Sequence, residues 1–180
     1  MLYLIVLWVK FIKGYKPLIS LSPILKPSFQ YQFLIIGCGN TLLSGAAVGH
    51  QVAKEVAAWS LPSVISLAVQ QLTPELAIVI AETDYVIFVD ACAQSYAQAV
   101  KITPLAVCSQ RPNAISNNTD GGDPLSLLKI TQERYGRCPQ AWSIHIPTEC
   151  LHFENQLSAT THQGCDRALR TIEQFFTTYR

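Results

Sequence analysis

An α/β architecture, with short strands alternating with helices, is the fold class that this sequence predicts. Three observations carry the prediction. Short apolar or β-branched runs recur from Phe33 onward. The stretches between several of them repeat their apolar residues in steps of three and four. Two of those stretches open on a hydroxyl or carboxylate residue followed by proline, Thr73-Pro74 and Asp123-Pro124, a pairing suited to the start of a helix.

The strand candidates, in order, are Phe33 to Ile36, Val64 to Val69, Tyr85 to Val89, Ala99 to Val107 and Ala141 to Ile146. Between the first two, Val48, Val52, Val56 and Trp59 fall on one face of a helix whose other face carries Gln51, Lys54 and Glu55. A second, short helix is expected from Thr73-Pro74 to near Thr83, capped by the Thr73 hydroxyl. A third runs from Asp123-Pro124 through Leu127, Leu128 and Ile130 to Tyr135, with Gly136 placed to close it in the left-handed conformation. The last helix carries Cys165, Ala168, Leu169, Ile172, Phe175, Phe176 and Tyr179 on one stripe. Alternation of this kind argues for βαβ units and a parallel sheet. Ser109 to Gly122 is polar and rich in Asn, Ser and Gly, which reads as a surface loop of the kind that carries binding functions. No internal repeat is visible.

Composition bounds the function. The chain has 180 residues, 49% of them hydrophobic, which suits one domain with a sizeable core. Only 14% are charged and the net charge is +1, so there is no basic surplus for nucleic acid. Cys38, Cys92, Cys108, Cys138, Cys150 and Cys165 form no C-x-x-C pair, which argues against a zinc knuckle or a redox motif. They read as reduced thiols of a cytoplasmic protein, with a disulfide framework as the competing reading.

Residues 1–31 differ from the rest: an apolar run from Leu2 to Val9 is followed by Lys10, Lys13, Lys16, Pro17, Pro23, Lys26 and Pro27. The run is too short for a hydrocarbon core that needs about 20 residues, and its charges lie on the wrong side for a signal peptide. We read 1–31 as an N-terminal extension outside the core and 32–180 as the domain. Use of residues 1–13 as a membrane-surface anchor for an adaptor is the alternative for this segment.

Common catalytic signatures are missing. Gly37-Cys38-Gly39-Asn40 sits between a strand and a helix, where a phosphate-binding loop would lie. A dinucleotide fingerprint would need glycine at Leu42 and an acidic residue at Gln70 or Gln71, and there is no P-loop. Neither H-E-x-x-H nor G-x-S-x-G occurs. His152-Phe153-Glu154 is half of a deaminase motif with no P-C-x-x-C after it, and His145, alone within a strand candidate, reads as a packing residue. Asp90 ends the apolar run Tyr85 to Val89. A carboxylate at the carboxyl end of a strand is placed for metal or acid–base work, and a cap or loop hydrogen bond competes with that reading.

Several segments together carry a resemblance: Gly37-Cys38-Gly39-Asn40-Thr41-Leu42, Val48-Gly49, Gln71-Leu72-Thr73-Pro74-Glu75-Leu76, Val86-Ile87-Phe88-Val89-Asp90-Ala91, Asp123-Pro124-Leu125-Ser126-Leu127-Leu128 and Tyr135-Gly136-Arg137-Cys138-Pro139-Gln140-Ala141-Trp142. In order and spacing they resemble the hydrogenase maturation endopeptidases, from about Phe33 to Arg180. The resemblance implies a three-layer α/β/α sandwich around a twisted, mostly parallel sheet of about five strands. It also implies a cytoplasmic, aspartyl-type hydrolase that removes the C-terminal extension of a nickel-iron hydrogenase large-subunit precursor once nickel has entered it. The enzyme would have no cofactor of its own, the nickel being recognised in the bound precursor.

The family attributes nickel recognition to three side chains, and this sequence keeps one of them, Asp90. The acidic position in the first loop falls on Gly45 and Ala46, and the histidine position on Asp120. Losing two ligands should cost at least ~10²- to 10⁴-fold in metal affinity. Asp120 could still offer an oxygen, and His50 an imidazole, which suits nickel better than carboxylate does. The motif loop, Gly37, Gly39, Asn40 and Gly49, reads as structural. No residue is assigned as nucleophile or general base. A homologue that keeps the fold, and precursor binding, without cleaving is the alternative reading.

Overall fold

A strand buried on both faces organises the molecule. In the computed structural model, which describes residues 33–39, 47–92, 100–106, 122–148 and 158–179, the sequence Phe-Leu-Ile-Ile-Gly-Cys forms β1 (Phe33–Cys38). An apolar run without alternation is what a strand covered by helices on both sides requires. It continues into α1 (Val48–Ala58), β2 (Val64–Val69), α2 (Leu76–Ala81), β3 (Tyr85–Cys92), β4 (Lys101–Leu105), α3 (Pro124–Tyr135), β5 (Gln140–Pro147) and α4 (Ala159–Tyr179). The extension 1–31, Asn40, Gly45, Ala46 and Asp120 lie outside the described residues, as does the 109–122 loop up to its last residue.

The sheet has five strands in the order β2-β1-β3-β5-β4. All neighbours are parallel except β4, which runs antiparallel to β5 at the edge. Helices cover both faces. Val48, Val52 and Val56 of α1 and Cys165, Ala168, Ile172 and Phe176 of α4 pack against Phe33, Ile35, Ile87, Val89, Ile144 and Ile146. On the other face Ala77 and Ile80 of α2 and Leu127 and Leu128 of α3 pack against Leu34, Ile36, Val86, Phe88 and Ala141. This is the three-layer sandwich with a mostly parallel sheet.

Local chemistry explains the element ends. Asp123 Oδ1 accepts from the Leu125 and Ser126 amides at 2.9 and 3.0 Å and so caps α3, which has proline in its first turn. Gly136 then closes the helix with φ 68°, its amide donating to Gln132 at 3.0 Å. Three expectations need correction. The Thr73 hydroxyl does not cap α2; it bonds the Glu75 carboxylate, whose pKa this lowers, and Thr73–Glu75 form a turn before the helix. The fourth strand is shorter than Ala99 to Val107, and Pro104 is accommodated because β4 is an edge strand that can spare an amide. Trp59 follows α1 instead of extending its buried face and remains 36% exposed.

The ends of β1, β3 and β5 away from Cys38 and Asp90 carry an aromatic cluster. Phe33 stacks on Tyr85 and meets Phe176, while Trp142 meets Phe175 and Tyr179. The C-terminal turns of α4 are thus held at the end of the sheet where the strands begin. Among the described residues, Cys38, Cys92, Cys138 and Cys165 are free thiols, and no helix is long and apolar enough to cross a membrane.

Candidate functional site

The strand order places a crevice. From β1 the chain crosses to β2 on one side, and β3 then takes the other side. In open α/β sheets ligands bind where such paths diverge, outside the carboxyl ends of the strands. Here that point lies between the ends of β1 and β3, at Cys38 and Asp90.

Backbone proximity fixes the floor of this crevice. A Cβ on Gly49 would overlap the carbonyl oxygens of Cys38 and Val89, and one on Gly37 would overlap the Gly49 carbonyl and come within 2.6 Å of Ala53 Cβ. The start of α1 therefore rests directly on the ends of β1 and β3, and only glycine permits it. His50 follows Gly49 on α1, half-buried, over the same end of the sheet. Gly39 donates its amide to Val69 at 3.1 Å, tying the motif loop to β2.

Asp90 lies within β3, which continues past it to Cys92, so it does not open a loop as its sequence context suggested. The Ala91 amide donates to its Oδ1 at 2.7 Å. Asp90 is exposed as a residue, yet desolvation by the surrounding chain raises its pKa; the Ala91 amide and the charge of His145 act in the opposite direction. A carboxylate hindered from ionising is suited to accept a cation or share a proton.

Pairing extends the row across the sheet. Gly37 pairs with Val89, so Cys38 lies beside Asp90; Asp90 pairs with His145, and His145 with Lys101. Cys38, Asp90 and His145 all project from the face covered by α2 and α3, because each follows at even spacing the residues packed there. The Cys38 thiol donates to the Gln70 carbonyl at 3.8 Å. Burial, and then the Asp90 charge, raise its pKa. It is held as a thiol and is not a primed nucleophile.

His145 was not singled out as functional by its sequence context. Its Nε2 lies 2.9 Å from Ser143 Oγ. Ser143, His145 and Asp90 thus have the composition of a serine-hydrolase triad, but Ser143 is 4% exposed and closed to any substrate. Its role is to orient the imidazole. Among the described residues no three His, Cys, Asp or Glu side chains are arranged to hold a metal ion. Asp90 and His50 therefore do not form such a group with a third described donor.

This sandwich, with a carboxylate at the diverging strand ends, has the fold of the hydrogenase maturation proteases. A hydrogenase 2 maturation peptidase from a Thaumarchaeota archaeon superposes with a TM-score of 0.59 at 19% identity, covering 81% of this chain and 97% of that one. The nickel-iron hydrogenase maturation protease HycI from Thermococcus kodakarensis gives 0.61 at 20% identity, over 82% and 93%. The hydrogenase maturating endopeptidase HybD from E. coli gives 0.53 at 20% identity, over 78% and 89%. No protein-family model matches the chain, and no curated protein matches it.

Proposed function

We propose that this protein is an endopeptidase that removes the C-terminal extension of a nickel-iron hydrogenase large-subunit precursor after nickel insertion. The observation that carries the reading is Asp90, a partly desolvated carboxylate at the diverging ends of β1 and β3, in a fold shared with proteases of that name. Asp90 would face the nickel held in the precursor, which is substrate and not a resident cofactor. Asp120 and His50 are the other candidate contacts, and the place of work is the cytoplasm.

Within that reading, the chain's own residues position the precursor. Asp90 binds and orients the metal-bearing segment. The protonated Cys38 and the buried Ser143 do not attack the peptide bond.

A second reading keeps the fold and precursor binding without cleavage. It is favoured by Ala46 and Asp120, which stand where an acidic residue and a histidine are expected. Incubation with a nickel-loaded large-subunit precursor, followed by mass spectrometry, separates the two. Loss of a C-terminal peptide only when nickel is present supports the protease. An unchanged mass, where an active maturation protease cuts the same sample, supports the non-cleaving reading. Cleavage regained by the Ala46→Glu, Asp120→His double variant would then trace the loss to those two positions.

A further inference from the structure

Asp90 has a partner that the proposed reading does not use. We infer that His145 is a second metal-facing residue of the crevice, forming with Asp90 an imidazole–carboxylate pair that contacts a divalent cation presented by the bound partner. This inference rests on the reading of the crevice as a site for a metal-bearing substrate.

Register brings the two together. Asp90 and His145 are direct partners on adjacent parallel strands and project from the same face. Neighbouring strands lie about 4.8 Å apart. Two donors that share one ion at about 2.0 to 2.2 Å each can be up to about 4.4 Å from one another, so a small side-chain adjustment closes the pair on a cation. Each side chain is anchored through one atom and has another to spare. Asp90 Oδ1 holds the Ala91 amide, and His145 Nε2 is engaged with Ser143. Neither Asp90 Oδ2 nor His145 Nδ1 has a hydrogen-bond partner among the described residues.

The same geometry says which neighbour completes the pair. Cys38 lies on the opposite side of Asp90, so Cys38 and His145 are two strand spacings apart, about 10 Å, and cannot share an ion. The Cys38 thiol is also turned to the Gln70 carbonyl. Imidazole and carboxylate from two adjacent strands bind a divalent ion only weakly by themselves, in keeping with the absence of a three-donor group among the described residues. A pair of this size fits an ion whose remaining ligands arrive with the partner. Imidazole also favours the later first-row divalent metals over magnesium or calcium.

The test uses the full chain with nickel chloride alone, so it does not depend on cleavage. The sequence has four histidines, His50, His145, His152 and His162, and ring-labelled histidine gives each its own NMR signal. Paramagnetic nickel is expected to broaden the His145 ring first. Asp90→Asn should raise the nickel concentration needed by about tenfold or more. His145→Gln, which keeps a hydrogen-bonding group toward Ser143, removes one ring signal and so assigns it to His145, and should retain the parent's melting temperature within a few degrees. Broadening centred on another histidine, or a His145 response unchanged by Asp90→Asn, overturns the inference. Precursor processing is scored separately. A selective His145 response without cleavage leaves this pair standing and counts against the protease; cleavage that persists in His145→Gln with no selective response rejects the pair alone.

Discussion

The carbonyl of Gly49 occupies the place where a side chain on Gly37 would begin. This contact seats α1 on β1 by backbone alone, and any Cβ at Gly49 would also meet the carbonyl oxygens of Cys38 and Val89. Because those obstacles are backbone, they cannot rotate away. Gly49→Ala is expected to destabilise the protein by about 3 kcal/mol, in the upper range for overpacking. A urea titration followed by circular dichroism checks it; a loss below about 1 kcal/mol would show that α1 can lift without consequence.

Gly136 provides the contrasting case. Its Cβ position has nothing within 4 Å, yet its φ is 68°. Gly136→Ala should therefore cost only the left-handed backbone penalty, about 1 to 2 kcal/mol. Asp123→Ala, which removes the cap at the other end of α3, should cost about 1 kcal/mol. Thermal melts of the two single variants test both values.

Phe176 joins the end of α4 to the sheet. Its ring centroid lies 4.7 Å from that of Phe33 and 6.2 Å from that of Trp59, and it is 3% exposed. Phe176→Ala should destabilise by about 3 to 5 kcal/mol. Hydrogen exchange is expected to show the loss first in α4 amides, because Phe176 lies in the last turn of that helix.

Cys165 sets an alkaline limit. Burial, and then the charge of Asp166, push its thiol up to about 11 from an ordinary 9.0. The unfolded chain releases this proton near pH 9 and the folded one retains it, so stability falls as pH rises between those values. The loss approaches about 2 to 3 kcal/mol at the top of the window. Cys165→Ala is less stable at neutral pH because it leaves a small cavity, but its deficit should shrink between pH 9 and 11. A deficit that stays constant over that range would show that the thiolate is tolerated in the core.

The ease of reading this molecule from its sequence differed between elements for physical reasons. The span Val64–Val69 and both ends of α3 were legible because local chemistry defines them: a β-branched run, Asp123 with Pro124, and Gly136. The end of β3 was not, since Asp90 looks like a terminator, yet Asp90, Ala91 and Cys92 remain in the sheet through their pairing with His145, Ile146 and Pro147. The Thr73 hydroxyl has the local signature of a cap, but the nearby Glu75 carboxylate competes for it and the helix has no side-chain cap.

The same distinction holds at the candidate site. Asp90 stood out as a carboxylate closing an apolar run, which is a local signal. The proximity of His145 is a matter of register between strands nearly 50 residues apart and has no local signature; alternation only places it on one face of β5. The spacing of Gly37 and Gly49 marks a turn, but not that the Gly49 carbonyl fills the space of a Gly37 side chain while the Cys38 and Val89 carbonyls fill that of Gly49.

The aromatic cluster has a practical consequence for optical work. Trp142 pairs with Ile87, three positions before Asp90 in β3, and projects from the opposite face, where Phe175 and Tyr179 surround it. Trp59 leans on Phe176. Of the two described indoles, neither lies in the crevice, so their emission reports the docking of α4 and is insulated from events at Asp90. A tryptophan introduced at Val69, the β2 partner of Cys38, would place a fluorophore at the crevice end of the sheet. The protein would then carry separate optical channels for folding and for occupancy.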